Sequence, residues 1–569
     1  MKKYKILFIV SFVVILLSSI VTINMKKDFF VDEIWTCAFS NGNYTPHTNA
    51  YTGNGDDIKA FMEDNIVDNS FINTVKNAIL LYKGLYIDKD SDLIEKWNSA
   101  LNPESISWKK GQDFKNTLVP SEDSKFNYYS VYCNDIFDNH PILYYGIYHT
   151  ISSLTPDVFS KWTGFIINAV FLLPAIIILF LMVKKFFDDK IIAYGAFIAY
   201  GLSIGFLSTI VFFRMYAMVT FFTIATLYLH LCFLSKPVDL KFKHWLLLVI
   251  CVSFGVLSQY FYIFYCFAIF IVSAIYLLKN KNLTVLFKYC SAMLAAVIFV
   301  LIIWPFTIED LFFSSRGQEA MAQSFSVFGY LIKLLKYMRV VLQNCFGNNI
   351  IWLGLFAIIT VFCMCKFSKK IKIDIKRIII YLPIVITLLI VTQMAPYQTS
   401  RYIMNLFPLI FIFIADVLYI FISNIKGYNK GYNSKKILIV FMFFISFLGF
   451  LTGKPEYLYL ENVEKNEIID GYSGYDCISV MNSKEKMWRT DYAYIDFTKY
   501  NDILAIAKED INRIDITPIS DNKEILLYID NKIIDKGAVI NKVKDVTGFK
   551  TEKLLISEYK YSDIYVLYK

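Results

Sequence analysis

Asp32-Glu33 lies just beyond an apolar stretch that runs from about Ile6 to Ile23. Ionisable groups at the edge of a bilayer are costly to place and tend to be functional, so this carboxylate pair points first to an enzyme built into a membrane. Acidic residues also occur there as plain solvated flanks, and position alone leaves that reading open. Unusual polar residues recur in short clusters farther along. They are Asp138-Asn139-His140-Pro141 ahead of Leu143-Tyr144-Tyr145, Arg214-Met215-Tyr216, Gln259-Tyr260, Arg316-Gly317-Gln318-Glu319 and Arg401-Tyr402. Carboxylates and histidine can take and give protons, and a guanidinium can grip an anion with two parallel hydrogen bonds. Each also has a plain structural reading. Arg214 and Arg401 could snorkel to lipid headgroups, and His140 could simply turn the chain before Pro141. Arg316 and Glu319 could form a loop ion pair, and Tyr144 and Tyr145 could belong to an interfacial aromatic belt.

The elements that must position these residues follow from composition. The chain of 569 residues is 56% hydrophobic, 17% aromatic and only 18% charged, where soluble domains carry roughly 25% charged residues. A polytopic α-helical membrane protein is expected. Apolar runs of about 20 residues, the length of one span, fall at eleven places: 6–24, 162–183, 191–211, 215–234, 244–260, 261–278, 289–306, 350–366, 378–394, 403–423 and 437–452. Lysine and arginine concentrate in the connections after every second run. With Lys2, Lys3 and Lys5 they number 21, against the four acids Asp188, Asp189, Asp239 and Asp374. By the positive-inside rule those connections and the N-terminus are cytoplasmic, and the region after Thr452 is extracytoplasmic. The net charge of +9 is thus a topology signal for a multi-pass plasma-membrane protein, and no nucleic-acid partner is expected. No small-residue cleavage site follows the first run, and Met25-Lys26-Lys27-Asp28 reads as its end, so it is taken as a retained span.

A transmembrane domain over 1–452 is therefore expected, interrupted by two extracytoplasmic loops, 26–161 and 307–349. A small extracytoplasmic α/β domain over 453–569 follows. The first loop is far longer than a connector requires, which suits a functional insert. Within it, 58–82 carries apolar residues at helical spacing, which suits either a helix on the membrane surface or one packed inside the insert, and 328–341 in the second loop suits a surface helix. In the tail, Cys477–Met481, Ile514–Pro518, Ile525–Ile529 and Leu554–Ile556 read as strands, and Asn501–Ala507 and Gly537–Val546 as helices. Cys37 and Cys133 both fall outside the spans and could pair, but two cysteines make no pattern. There is no glycine-rich phosphate loop and no zinc-like Cys/His spacing. No cofactor is expected, and a divalent metal would require acids and His140 to gather in three dimensions.

With this topology Asp32, Glu33, Asp138, His140, Arg214, Gln259, Arg316, Glu319 and Arg401 all fall toward one outer surface, where groups from distant parts of the chain could meet. At this point the sequence resembles the bacterial membrane glycosyltransferases of the GT-C class, in the branch of protein O-mannosyltransferases, ArnT and the Rgt lipopolysaccharide transferases. The resemblance rests on Val31-Asp32-Glu33 after the first span, His140-Pro141-Ile142-Leu143-Tyr144-Tyr145, Arg214-Met215-Tyr216-Ala217, and Arg401-Tyr402 with Pro408 downstream. The family commonly has His-Pro-Pro where this chain has His140-Pro141-Ile142, and often Thr-His-Tyr where it has Ser258-Gln259-Tyr260. What the resemblance implies is transfer of one sugar from a polyprenyl-phosphate carrier to a hydroxyl of a cell-envelope polymer, a lipid or a protein. It implies Asp32 as general base, with Glu33 sharing that role or fixing its geometry. It also implies Arg214 and Tyr216 on the departing phosphate, and substrate contacts from Asp138, His140, Tyr145, Gln259, Arg316, Glu319, Arg401 and Tyr402.

Two other classes compete. A transporter or flippase for envelope lipids commonly shows internal repeats and midplane polar residues, whereas here Asp416 is the exception among spans with few midplane charges. A receptor with a ligand-binding tail would leave the outer acids and arginines on separate spans unexplained.

Overall fold

The computed structural model describes residues 2–45, 55–101, 106–187, 190–235, 241–314, 317–319, 322–323, 325–367, 374–424 and 432–569. The chain forms two compact units. One contains 1–26, 139–144 and 164–458, and the other contains 27–138, 145–163 and 459–569.

The first unit is a helical bundle. Among the described residues, seven of its helices are long and apolar enough to cross a membrane: Ile6–Met25 within α1 (Lys2–Met25), Lys161–Phe187, Tyr216–Leu234, Tyr262–Lys279, Leu283–Ile303, Ile375–Met394 and Met404–Ile422. Two bent pairs bring the number to nine, short of the eleven expected from apolar runs. The differences have local causes. The run 191–211 is two helices, Ile192–Gly201 and Ile204–Val211, bent by 51°. Ser203 restarts the chain there, its Oγ accepting the Phe206 N–H at 3.1 Å, as an N-cap does. The run 350–366 joins the expected surface helix as a second pair, Val327–Phe346 and Ile350–Lys366, bent by 100°. Gly347 sits at this bend with φ +63°, where a Cβ would lie 2.1 Å from the Cα of Gly449, so only glycine fits. The run 244–260 yields a helix of 15 residues, Phe242–Val256. It stops where a Cβ on Gly255 would be 2.2 Å from the Tyr262 ring. The run 437–452 lies within the helix Tyr432–Thr452.

The second unit brings the long first loop and the C-terminal tail into one fold. Its sheet has the order β1-β3-β2-β4-β6-β5, with β1 Lys109–Lys110, β2 Cys477–Met481, β3 Asp502–Ala507, β4 Glu524–Asp530, β5 Thr551–Tyr559 and β6 Ser562–Tyr568. Strands β3, β2 and β4 run parallel, whereas β1, from the first loop, pairs antiparallel with the edge of β3. Ile478, Val480, Leu504, Ile506, Leu527 and Ile529 form the centre of its core with Ile540 and Val543 of the helix Lys536–Thr547. The segment expected as a helix, Asn501–Ala507, is mostly β3. The expected strand Ile514–Pro518 holds only a 3₁₀ turn, Thr517–Ile519, at its end. Cys37 and Cys133 are both free thiols.

The helix carrying the acidic pair, α2 (Val31–Asn41), belongs to this second unit. The helices Gly55–Asn65 and Phe71–Tyr82 occupy the stretch expected to be helical. Ile58, Phe61, Met62 and Ile66 are buried, whereas Phe71, Ile72 and Ile79 are exposed.

Candidate active site

In the bundle, the polar residues singled out by sequence sit in the breaks between helices, and contacts tie several of those breaks together. Arg214 lies between Val211 and Tyr216, the end of one helix and the start of the next. It is 1% exposed, far too buried to be reaching for headgroups. Its Nη2 is 3.1 Å from His140 Nε2. Arginine only donates, so this contact requires His140 Nε2 to accept and a neutral ring to carry its proton on Nδ1. The Leu143 N–H donates to the carbonyl of Leu257 at 3.2 Å, which joins the His140 turn to the corner holding Gln259 and Tyr260.

That corner leads on to two others. Tyr260 donates to Asp310 Oδ2 at 2.5 Å, and Trp304 Nε1 donates to the same oxygen at 3.0 Å. Asp310 is buried, and its two aromatic donors are what make a carboxylate tolerable there. Phe261 packs on Tyr402 with ring centroids 4.8 Å apart. Arg401 covers the Tyr402 ring at 5.1 Å and reaches its hydroxyl at 3.4 Å. Gln259, 5% exposed, accepts from the Phe261 N–H at 3.4 Å and so helps turn the chain.

Beyond Ser400 the network reaches residues that the sequence did not single out. Ser400 Oγ donates to Glu456 Oε2 at 2.5 Å, and Asn344 Nδ2 donates to Glu456 Oε1 at 3.1 Å. Tyr457 stacks on Phe212 at 3.8 Å, and Phe212 stacks on Tyr216 at 5.6 Å. Lys26, at the end of α1, donates to the Tyr457 carbonyl at 2.7 Å and lies 5.0 Å from the Phe213 ring. It is 3% exposed and is no solvated flank. Arg214, Arg401 and Lys26 therefore occur at linked corners of one end of the bundle, with Arg214 immediately ahead of the positive N-terminal end of the Tyr216 helix. Such a corner can hold a phosphate.

A signal for two of the missed residues was available. Asp310 and Glu456 each follow an apolar run within a few residues, as Asp32 does, but nothing in the local sequence names their partners Tyr260 and Ser400.

In the second unit, Asp32 is half-buried in the first turn of α2. Glu33 is fully buried, and its Oε2 accepts the Phe30 N–H at 2.7 Å. Glu33 thereby satisfies a backbone donor of the helix start, a placement that suits fixing the geometry of its neighbour. Asp138 and Tyr145 are joined through a 2.5 Å hydrogen bond from the tyrosine hydroxyl. Tyr145 packs on Phe39 of α2 at 5.8 Å. Both Tyr144 and Tyr145 are fully buried and are not belt residues; in the bundle, Tyr144 donates to Asn168 Oδ1 at 3.4 Å. Glu319 is exposed, and Arg316 lies outside the described residues. Among the described residues no group of three or more His, Cys, Asp and Glu side chains is arranged to hold a metal ion.

Residues 139–308, the stretch with His140, Arg214, Tyr216, Gln259 and Tyr260, match the family described as dolichyl-phosphate-mannose-protein mannosyltransferase. No curated protein matches the sequence. Among solved structures the fold is similar to that of ArnT from Cupriavidus metallidurans bound to undecaprenyl phosphate. The TM-score is 0.53 at 9% identity, over 98% of this chain and 98% of that one. The same protein in its apo state aligns with a TM-score of 0.46 at 9% identity, over 75% of this chain and 87% of that one.

Proposed function

We infer that this chain, a multi-span membrane glycosyltransferase of the GT-C class with an ArnT-like fold, transfers one sugar from a polyprenyl-phosphate carrier to an acceptor hydroxyl at the outer face of the plasma membrane. The acceptor is a cell-envelope polymer, a lipid or a protein. The observation that carries this reading is the buried Arg214, set at a helix break against His140. A guanidinium taken out of water at the end of a membrane helix is suited to an anion that arrives from the lipid, as the phosphate of a polyprenyl carrier does. The solved ArnT structure with undecaprenyl phosphate supports a carrier of that kind.

In this reading Asp32 takes the proton of the acceptor hydroxyl as its oxygen bonds to the anomeric carbon. The bond from that carbon to the phosphate oxygen breaks on the opposite face, so the sugar inverts and polyprenyl phosphate leaves. Arg214 and Tyr216 donate to the oxygens on which charge grows, the transition-state contacts that matter most for rate. Asp138, His140, Tyr145, Gln259, Arg316, Glu319, Arg401 and Tyr402 are assigned to substrate contacts. A cytoplasmic N-terminus and an extracytoplasmic C-terminal region belong to the same reading and follow from the charge of the connections.

The test uses purified protein in lipid nanodiscs and a panel of undecaprenyl-phosphate sugars, with release of undecaprenyl phosphate as the signal. Asp32→Asn is expected to lower turnover by at least the 10²–10⁴-fold typical of general-base assistance, at about unchanged thermal stability. Full turnover in that variant would remove Asp32 from the role of base.

A further inference from the structure

α2 packs against first-loop residues such as Leu118, Asn134 and Tyr145, but the approach to it and its second turn are also held from the far end of the sequence. Asp28, 5% exposed, accepts from Lys560 Nζ at 3.1 Å and from Asn462 Nδ2 at 2.8 Å. Lys560 also reaches Asp496 at 3.0 Å, and Asp496 is 1% exposed. One buried cation thus stands between two buried carboxylates that would otherwise repel. The Lys27 carbonyl accepts from Asn466 Nδ2 at 3.0 Å, and Asn466 in turn accepts from the Tyr559 hydroxyl at 2.6 Å. One turn into α2, Trp35 Nε1 donates to Asp491 Oδ2 at 3.0 Å.

The lysine is delivered by a strained turn. Tyr559 pairs with Ser562 across β5 and β6, which leaves Lys560-Tyr561 as a two-residue loop. Both residues have positive φ, 49° and 67°, the geometry in which asparagine and glycine are preferred. The left-handed conformation is unfavourable for an L residue with a side chain. Backbone strain of this kind persists only where the surroundings over-determine it, and it concentrates at functional positions. Here it directs Lys560 into the buried pair beside the approach to α2.

We propose that the C-terminal α/β fold is a positioning device for α2, holding Asp32 in register through Lys560–Asp28 at the entry of the helix and Asp491–Trp35 one turn later. Asp28, Trp35, Asp491, Asp496 and Lys560 are positioning residues in this scheme, which rests on Asp32 being the base. The physical motive is that transfer demands the base within hydrogen-bond reach of the acceptor hydroxyl, and a displacement of about 1 Å can cost about 10²-fold in rate. A helix of 11 residues set in a long loop is too short to hold such geometry on its own.

The experiment compares full-length wild type, Trp35→Phe, Lys560→Met, Asp491→Ala and Asp491→Asn in lipid nanodiscs. Four quantities are measured: amide hydrogen exchange over 31–41, Kd for undecaprenyl phosphate, and kcat and KM with the undecaprenyl-phosphate sugar that the wild type consumes. Trp35→Phe, Lys560→Met and Asp491→Ala are expected to speed exchange over 31–41 by about tenfold and to lower kcat by about 10–100-fold. Kd and KM should stay within about twofold in all of them. Asp491→Asn keeps an oxygen to accept from Trp35 and should restore both exchange and kcat. Exchange over 31–41 unchanged in Trp35→Phe and Lys560→Met would overturn the anchoring. Faster exchange with unaltered kcat would overturn the positioning role. Full turnover in Asp32→Asn, with exchange still controlled by the anchors, would instead refute the base assignment and leave the anchoring intact.

Discussion

Half-buried Arg377 and buried Arg214 of the bundle behave differently because of where the chain places them. Arg377 lies inside the first turn of the helix Ile375–Met394, and Asp416 lies in the middle of Phe407–Asn424. They meet fork to fork, Arg377 Nε and Nη2 each 2.8 Å from Asp416, while Tyr381 donates to the same carboxylate at 2.8 Å. The Arg377 guanidinium also lies 5.7 Å from the Phe186 ring. Asp416, which the sequence marks as an oddity among the spans, is half of a saturated structural pair. Arg214 and Arg401 stand instead in the breaks between helices, among turns joined by Tyr260–Asp310, Ser400–Glu456 and Leu143–Leu257. A charge embedded in a regular helix is matched by a neighbouring helix and stays matched. A charge in a break shares its corner with helix ends, whose backbone groups and dipoles can also meet a ligand.

The contrast breaks most visibly at Arg377. Removing one partner of a buried ion pair typically costs about 3–5 kcal/mol, so Arg377→Met should lower the melting temperature of the detergent-solubilised protein substantially. Turnover per folded molecule should remain close to wild type. Arg377→Met combined with Asp416→Leu should recover most of the stability, since the stranded carboxylate is gone. Loss of specific activity at unchanged folded fraction would place Arg377 in the chemistry and end the distinction.

Arg214→Lys should do the reverse. It keeps the charge but loses the planar fork, and losing one preorganised transition-state donor costs about 10²–10³-fold in kcat. Melting temperature should move less than in Arg377→Met. A smaller effect is expected at the joined corners. Tyr260→Phe removes a hydroxyl donor to buried Asp310, which should cost about 1–3 kcal/mol in a denaturation or melting measurement. A turnover loss larger than that stability change explains would move the Tyr260–Asp310 corner into the active machinery.

The helical bundle was legible because a bilayer demands long apolar runs, and Asp32, Arg214 and Arg316 were legible because each closely follows such a run, whereas Asp138-Asn139-His140 does not. Where the runs break was harder to read, since the bend at Gly347 depends on close approach to Gly449, about a hundred residues away in sequence. In the second unit, the sequence reads Asn501–Ala507 as a helix, and the structure makes Asp502–Ala507 a strand. As β3 it pairs with β2 on one side and β1 on the other and buries both of its faces, so the alternation that marks a half-exposed strand is absent. Glu33 was legible as half of an acidic pair, but its bond to the Phe30 N–H was not. The anchors of α2 were hidden because Lys560 and Asp491 lie more than 450 residues beyond the groups they hold.

Those anchors also carry the last of the expected effects, one of pH. Burial pushes Asp491 up to about 7, and its hydrogen bond from Trp35 only partly opposes this. An aspartate in the unfolded chain ionises near about 3.9. Between the two values the folded state binds the extra proton, so this group makes the protein less stable as pH rises from about 4 to about 7 and adds no further change above that. Asp491→Asn cannot titrate and should flatten the fall in melting temperature between pH 5 and pH 7.5. The flattening should be partial. Asp496 is likewise raised by burial, with Lys560 drawing it back, and remains titratable in the variant. Wild type and Asp491→Asn giving parallel melting curves across that range would mean that the carboxylate beside Trp35 is already ionised well below neutrality. Its bond to Trp35 would then be a charge-assisted contact at every working pH, and Asp491→Asn would weaken the hold on α2 when it is expected to preserve it.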